Sequence, residues 1–174
     1  MTVTVPEGVV SDGAVKVVWV PTLADPSAPT LTEVTAATAL DLSCFLTADG
    51  LTTGGDEQVI TDERLCSKQT FEQPGRHTDT LSIKYVYNQQ AAPAAADNEA
   101  FETLKHLTEG YIVQRWGDDY ATAFAAGDVV DVVPVTCGKQ MKMPPEANSK
   151  LKIEQRMFVR NAVQRDVAIV TGAS

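Results

Sequence analysis

Thr80–Tyr87, TLSIKYVY, alternates strictly, with Leu81, Ile83, Tyr85 and Tyr87 on one side and Ser82, Lys84 and Val86 on the other. A period of two places one row of side chains in a core and the other toward solvent, which only a half-buried β-strand satisfies. Several other segments read the same way. Val15–Val20 (VKVVWV) is a near-continuous apolar run of buried-strand length, Tyr111–Trp116 (YIVQRW) is a strand, and Val163–Val170 closes the series. Leu151–Arg160 sets Leu151, Ile153, Met157 and Val159 against Lys152, Glu154, Arg156 and Arg160. Leu40–Thr47 predicts a further strand, and so does Asp128–Cys137, where Pro134 implies a sheet edge or a bulge.

Helical signals are few. Leu31–Ala39 could form a short helix capped by Thr30 or Thr32, with Glu33 in its first turn. Asn98–Leu107 is the better candidate: Asp97 or Asn98 caps it, Glu99 and Glu102 suit its N-terminal dipole, Phe101, Leu104 and Leu107 share a face, and Gly110 stops it. Residues 21–30 hold three prolines and read as a surface connection, and the Ala-rich stretch broken by Pro93 reads as a linker. Asp49–Glu63, with Gly50, Gly54 and Gly55 among acids and threonines, reads as a long loop, residues 65–74 as the chain's return to the sheet, and 138–149 as another loop. About seven or more strands with one flanking helix predict a mainly β fold, a β-sandwich or barrel. A chain of 174 residues fits this as one domain, with a flexible N-terminus over about 1–14 and the acidic loop over about 48–63. Aromatics are only 6%, so Val, Leu, Ile and Ala must carry the core.

The net charge of −9 is uneven. Residues 1–100 carry all of it, while 139–165 hold seven bases and two acids. Two solvated faces would explain this; so would two poles that meet when copies of the chain associate. On the second reading Asp49, Asp56, Glu57, Asp62 and Glu63 face Lys139, Lys142, Lys150 and Lys152 of another copy.

A search for chemistry returns little. His77, in a Gly-Arg-His-Thr turn, and His106, near the end of the second helix, form no local motif with a cysteine. There is no Cys-x-x-Cys or helical histidine pair for zinc, no EF-hand order of acids in 49–63, and no lysine after Gly54-Gly55 for a phosphate loop. Asp118, Asp119, Asp128 and Asp131 are read as a solvated turn in preference to a divalent-ion site. The basic stretch lacks interleaved aromatics apart from Phe158 and makes a poor nucleic-acid platform. No catalytic residue, cofactor or metal is therefore expected. Cys44, Cys66 and Cys137 form an odd set, read as buried reduced thiols, with a Cys44–Cys66 bridge left open. The first residues have neither the basic nor the apolar region of a signal peptide, and no run nears the roughly 18 apolar residues of a membrane-spanning helix, so synthesis and folding are expected in a cytoplasm.

The order of features resembles a known family. The connection Asp25-Pro26-Ser27-Ala28-Pro29-Thr30-Leu31-Thr32-Glu33-Val34 leads to Asp41-Leu42-Ser43-Cys44-Phe45-Leu46, then to the strand Leu81–Tyr87. Asn98-Glu99 and the helix follow, running into Gly110-Tyr111-Ile112-Val113-Gln114-Arg115-Trp116-Gly117. Over about residues 15–170 this resembles the major tail tube proteins of long-tailed, non-contractile phages that infect actinobacteria. The resemblance implies a β-sandwich with a flanking helix, shared with type VI secretion and contractile tail tubes. It implies hexameric rings stacked head to tail around a lumen for DNA, assembled in the host cytoplasm, with tape-measure, terminator and distal tail proteins as neighbours. It brings no catalytic residues. A tail terminator or decoration protein, a secreted β-sandwich binding module and a small barrel enzyme are the competing readings. The module would call for a signal peptide and paired cysteines, the enzyme for a convergent polar cluster.

Overall fold

The computed structural model describes residues 4–92 and 96–172. Its elements in order are β1 (Val15–Val20), α1 (Leu31–Val34), β2 (Leu40–Asp41), β3 (Leu46–Asp62), β4 (Phe71–Val86), α2 (Glu99–Thr103), β5 (Glu109–Trp116), β6 (Val129–Lys142), β7 (Lys152–Val159) and β8 (Gln164–Ala168). All strand pairings are antiparallel, in the order β2-β1-β5-β6-β7-β4-β3, with β8 on β6. The sheet curls: Val17 and Trp19 from one end share a core with Leu46 and Leu51 from the other. Mainly β with short flanking helices is the architecture that the alternating segments predict.

The continuous apolar run of β1 has a simple cause. Val17 and Trp19 point into the curl, while Val18 and Val20 point outward into a second layer with Leu23, Val34, Phe124 and Ile169. A strand buried on both faces has no polar row. In β4, one face is covered, and Leu81, Ile83 and Tyr85 all lie inside.

The helices are shorter than the sequence pattern suggests. Thr30 caps α1 in a reciprocal box: its hydroxyl accepts from Glu33 N–H and the Glu33 carboxylate accepts from Thr30 N–H. The predicted helix at 98–107 ends at Thr103, preceded by a 3₁₀ turn at Ala96–Asn98. Leu104 is fully buried, and Leu107 takes a positive φ so that its N–H reaches Cys137 O. Docking onto β6 replaces the last helical turn, so Leu107, 68% exposed, does not join the buried face with Phe101 and Leu104. Gly110, read as a helix stop, lies within β5, where a Cβ would fall 2.4 Å from the Trp19 ring. The linker break at Pro93 falls outside the described residues.

Four further segments depart from the sequence reading. Asp49–Glu63 is not a loop; all but Glu63 belongs to the 17-residue strand β3, paired with β4 from Leu51↔Ile83 to Asp62↔Phe71. His77 is consequently mid-strand opposite Glu57, and residues 63–70 form the turn. Residues 138–142 extend β6, and Pro134 sits at the centre of the sheet rather than its edge. β6 pairs with β8 below Pro134 and with β7 above it, and Pro134 O accepts from Arg160 N–H. Its missing N–H thus falls where one neighbour hands over to the next, and no ladder bond is lost. Of Leu40–Thr47 only Leu40–Asp41 pairs with β1 before the chain turns through Leu42 into the core. The cysteines are all free, but only Cys137 is buried; Cys44 lies in a turn and Cys66 at the hairpin turn, both exposed. Burial in apolar surroundings pushes the Cys137 thiol up to about 12.

Candidate self-association surfaces

Beyond Leu81, β4 no longer pairs with β7, and the β3–β4 hairpin continues alone. From Gly54 and Thr80 to Asp62 and Phe71 it extends roughly 30 Å at about 3.3 Å per residue. Its sequence suits a ribbon, with Thr52, Thr53, Val59, Ile60 and Thr61 supplying β-branched residues. A register shift between Glu57 and Val59 marks a bulge. Water reaches both faces: Asp56, Glu57, Val59, Ile60, Phe71 and Gln73 are all exposed. Among the described residues, the outer edge of β3 has no neighbouring strand.

The structure separates the five acids of the sequence-predicted acidic face. Asp49 stands at the hairpin root and is engaged within its own chain. It accepts from the Thr47 hydroxyl at 2.8 Å and from Lys84 Nζ at 3.0 Å, with Lys152 at 3.9 Å. The Thr47 hydrogen bond first, and the Lys84 bond second, hold its carboxyl down at about 2. Asp62 is chelated by Arg64 at 2.6 and 2.9 Å. Asp56, Glu57 and Glu63 have no ion-pair partner among the described residues. The returning strand brings Arg76 close to this row, opposite the bulge, a base that the 49–63 segment lacks.

The four candidate lysines divide likewise. Lys152 is paired with Glu146 at 3.1 Å as well as lying near Asp49. Lys142 donates to Gln89 Oε1 at 2.7 Å and sits over the Tyr87 ring. Lys139 and Lys150 make no ion pair among the described residues, and neither does Arg156, which stacks on Phe158 at 5.1 Å. On the outer face of β6, β7 and β4, Lys139, Met141, Arg156 and Phe158 line an open groove together with Ser82 and His106. Phe158 leans over Gly138, where a Cβ would lie 3.0 Å from its ring and 2.5 Å from Arg156 O. A glycine at that position lets β6 approach β7 closely.

Three buried polar residues escaped the pattern reading. Gln155 lies on the apolar face of β7 between Ile153 and Met157. Its Nε2 donates to Leu104 O and Gly138 O, and its Oε1 accepts from the Tyr85 hydroxyl. Gln140 Nε2 donates to the same hydroxyl and to Phe101 O, so the network ties α2 to the sheet. Arg115, 3% exposed, donates to Asp128, Ala123 O, Asp119 O and Thr122 O. It therefore organises the aspartate-rich 117–128 turn from inside. Gln114, the third, accepts from Trp116 Nε1. Among the described residues no three His, Cys, Asp or Glu side chains converge as a metal site would require, and no helix is long and apolar enough to cross a membrane.

A phage tail tube protein family matches residues 2–172, and this chain belongs to that family. Among solved structures, a chain of the "anti-feeding prophage (AFP) baseplate, 6-fold symmetrised", determined by cryo-EM, is similar over 94% of this chain and 96% of that one. The TM-score is 0.51 at 8% identity, a likeness of fold. A search of curated proteins finds no match. The protein is a structural component of a phage tail.

Proposed function

We propose that this chain forms hexameric rings that stack head to tail into the tail tube of a long-tailed, non-contractile actinobacteriophage, the conduit through which its genome passes. The family match over residues 2–172 carries this reading. The role is mechanical, without catalysis or cofactor, and assembly takes place in the host cytoplasm. The tape-measure, terminator and distal tail proteins are its neighbours.

Physical chemistry supports it at two points. Growth of a filament needs two different complementary surfaces on one subunit, because contacts that do not close propagate. The hairpin, with Asp56, Glu57, Asp62 and Glu63, and the basic face, with Lys139, Lys142 and Lys150, are opposite in sign and lie on separate elements. Asp49 and Lys152 contribute differently, holding the hairpin root to the sheet. A conduit must also release DNA. Each phosphate neutralised by Lys or Arg adds affinity, and a subunit of −9 disfavours such contacts.

Negative-stain microscopy of the purified chain over a range of concentration and salt tests the proposal. Rings or tubes are the expected result. A monomeric mass by light scattering across the same range refutes it.

A further inference from the structure

The distal hairpin is a two-stranded ribbon without a covering layer, and such ribbons are marginal in water by themselves. Yet it carries large apolar side chains. Phe71 and Ile60 share one face, at 49% and 55% exposure. Because the bulge adds a residue to β4, this is the face continuous with the outer row of Thr52 and Ser82, and Val59 and Pro74 lie on the opposite one. Acids border them: Asp62 beside Phe71, Glu57 before the bulge, Glu63 at the turn. The groove on the outer face of β6 and β7 has the complementary make-up. Met141 and Phe158, 62% and 51% exposed, supply apolar surface, and Lys139 and Arg156 beside them lack ion-pair partners among the described residues.

We propose that the distal hairpin of one copy seats in this groove on a second copy, with Ile60 and Phe71 against Met141 and Phe158, and the hairpin acids against Lys139 and Arg156. The inference rests on the self-assembly reading and identifies which surface receives the hairpin. A second copy is the occupant for three reasons. Both surfaces belong to the same chain, so every copy offers each. Their charge signs match: residues 52–80 hold six acids and three bases, and the groove sets Lys139 and Arg156 against one acid, Glu154. The hairpin also does not serve its own groove: the groove begins at Thr52 and Thr80, the hairpin's root, and no residue between them lines it. Apolar contact provides the affinity here, and the charged border sets orientation, as in interfaces with an apolar centre and a polar rim.

The test uses full-length chains in a Cys44→Ser, Cys66→Ser background, with Cys137 left buried. One chain carries Phe71→Cys and the other Met141→Cys, and the two are mixed under mild oxidation. The expected result is a disulfide-linked dimer that forms in the mixture well above the level of either chain alone. In parallel, Ile60→Ser with Phe71→Ser should raise the concentration for half-maximal assembly by about tenfold or more, since loss of an apolar anchor is worth at least about a decade in affinity. Circular dichroism and the unfolding midpoint should stay unchanged, because both positions face water in the isolated chain. If tubes form but the mixed dimer does not exceed the controls, or if the double variant assembles at the wild-type concentration, the groove docking is wrong and the tube reading stands. If the wild-type chain forms neither rings nor tubes, both are wrong. Cross-linking of Phe71→Cys to a different tail protein in place of the second copy also overturns the docking.

Discussion

Individual side chains here act mainly by holding neighbouring elements in place. Asp49 is the clearest charged case. Its carboxyl is held at about 2 by Thr47 and Lys84, below the ordinary 3.8. A depressed folded-state value stabilises the fold above the unfolded value and loses that contribution as pH falls through the folded one. Asp49→Asn should therefore be less stable than wild type at pH 6, and the gap should close between about pH 4 and pH 2, read from urea midpoints. Gly110 is the steric case. The Trp19 ring occupies the space of a Cβ at 2.4 Å, and neither Trp19, at 1% exposure, nor the central strand β5 has room to retreat. Gly110→Ala should cost about 1–3 kcal/mol in equilibrium denaturation. A midpoint equal to wild type would show that Trp19 repacks freely.

Among the elements, the β3–β4 hairpin differs most from the rest. Its inner third is part of the sheet, while its outer two thirds rest on cross-strand bonds and, near the root, on the Arg165–Asp79 ion pair at 2.8 Å. Such a segment opens locally at small cost compared with global unfolding. The turn at 63–70 presents Arg64 and Lys68 to solvent, with Arg64 bonded to the neighbouring Asp62. Trypsin should nick unassembled protein there first and leave the remainder folded, and assembled protein should resist at the same positions. Mass spectrometry of the first fragments checks both outcomes. Equal cleavage rates before and after assembly would mean that the hairpin stays free. The other end of the domain behaves oppositely: α2 is only five residues long, but Gln155, Tyr85 and Gln140 anchor it to the sheet.

For the whole molecule, the uneven charge has consequences beyond any one contact. Single exposed pairs contribute only about 0–1 kcal/mol, but repetition around a ring turns them into a selector of stacking polarity. Asp56→Lys with Glu57→Lys should suppress tube growth without changing the fold. Adding Lys139→Glu and Lys142→Glu in the same chain should restore part of it, scored as tube length by microscopy. Unchanged tubes in the first variant would leave stacking to apolar and backbone contacts. The net −9 bears on the lumen as well. Assembled protein should not retain double-stranded DNA on a filter at physiological salt, and tight retention would contradict the conduit role.

The residues alone determined those elements that bury one face against a core. Thr80–Tyr87 and Lys152–Val159 alternate because one row meets Trp19, Ile112 and Val135 and the other faces outward. Tyr111–Trp116, by contrast, is buried on both faces, with Ile112 in one core layer and Val113 in the other. Thr30 and Glu33 mark the start of α1 because capping is a local interaction between residues three apart. The hairpin had no such trace. With water on both faces, β3 beyond Leu51 has no apolar row, so its acids and glycines imitate a loop, and only pairing with β4 makes it a strand. The buried Gln155 and Arg115 were equally hidden, because their partners are backbone carbonyls brought near by the fold, at Leu104 and Gly138 for one and Ala123, Asp119 and Thr122 for the other. The charge poles themselves are composition and could be counted in advance. Which of those charges stay free was settled by tertiary structure, because Asp49, Lys84, Lys152 and Glu146 neutralise one another only where the curl of the sheet brings them together.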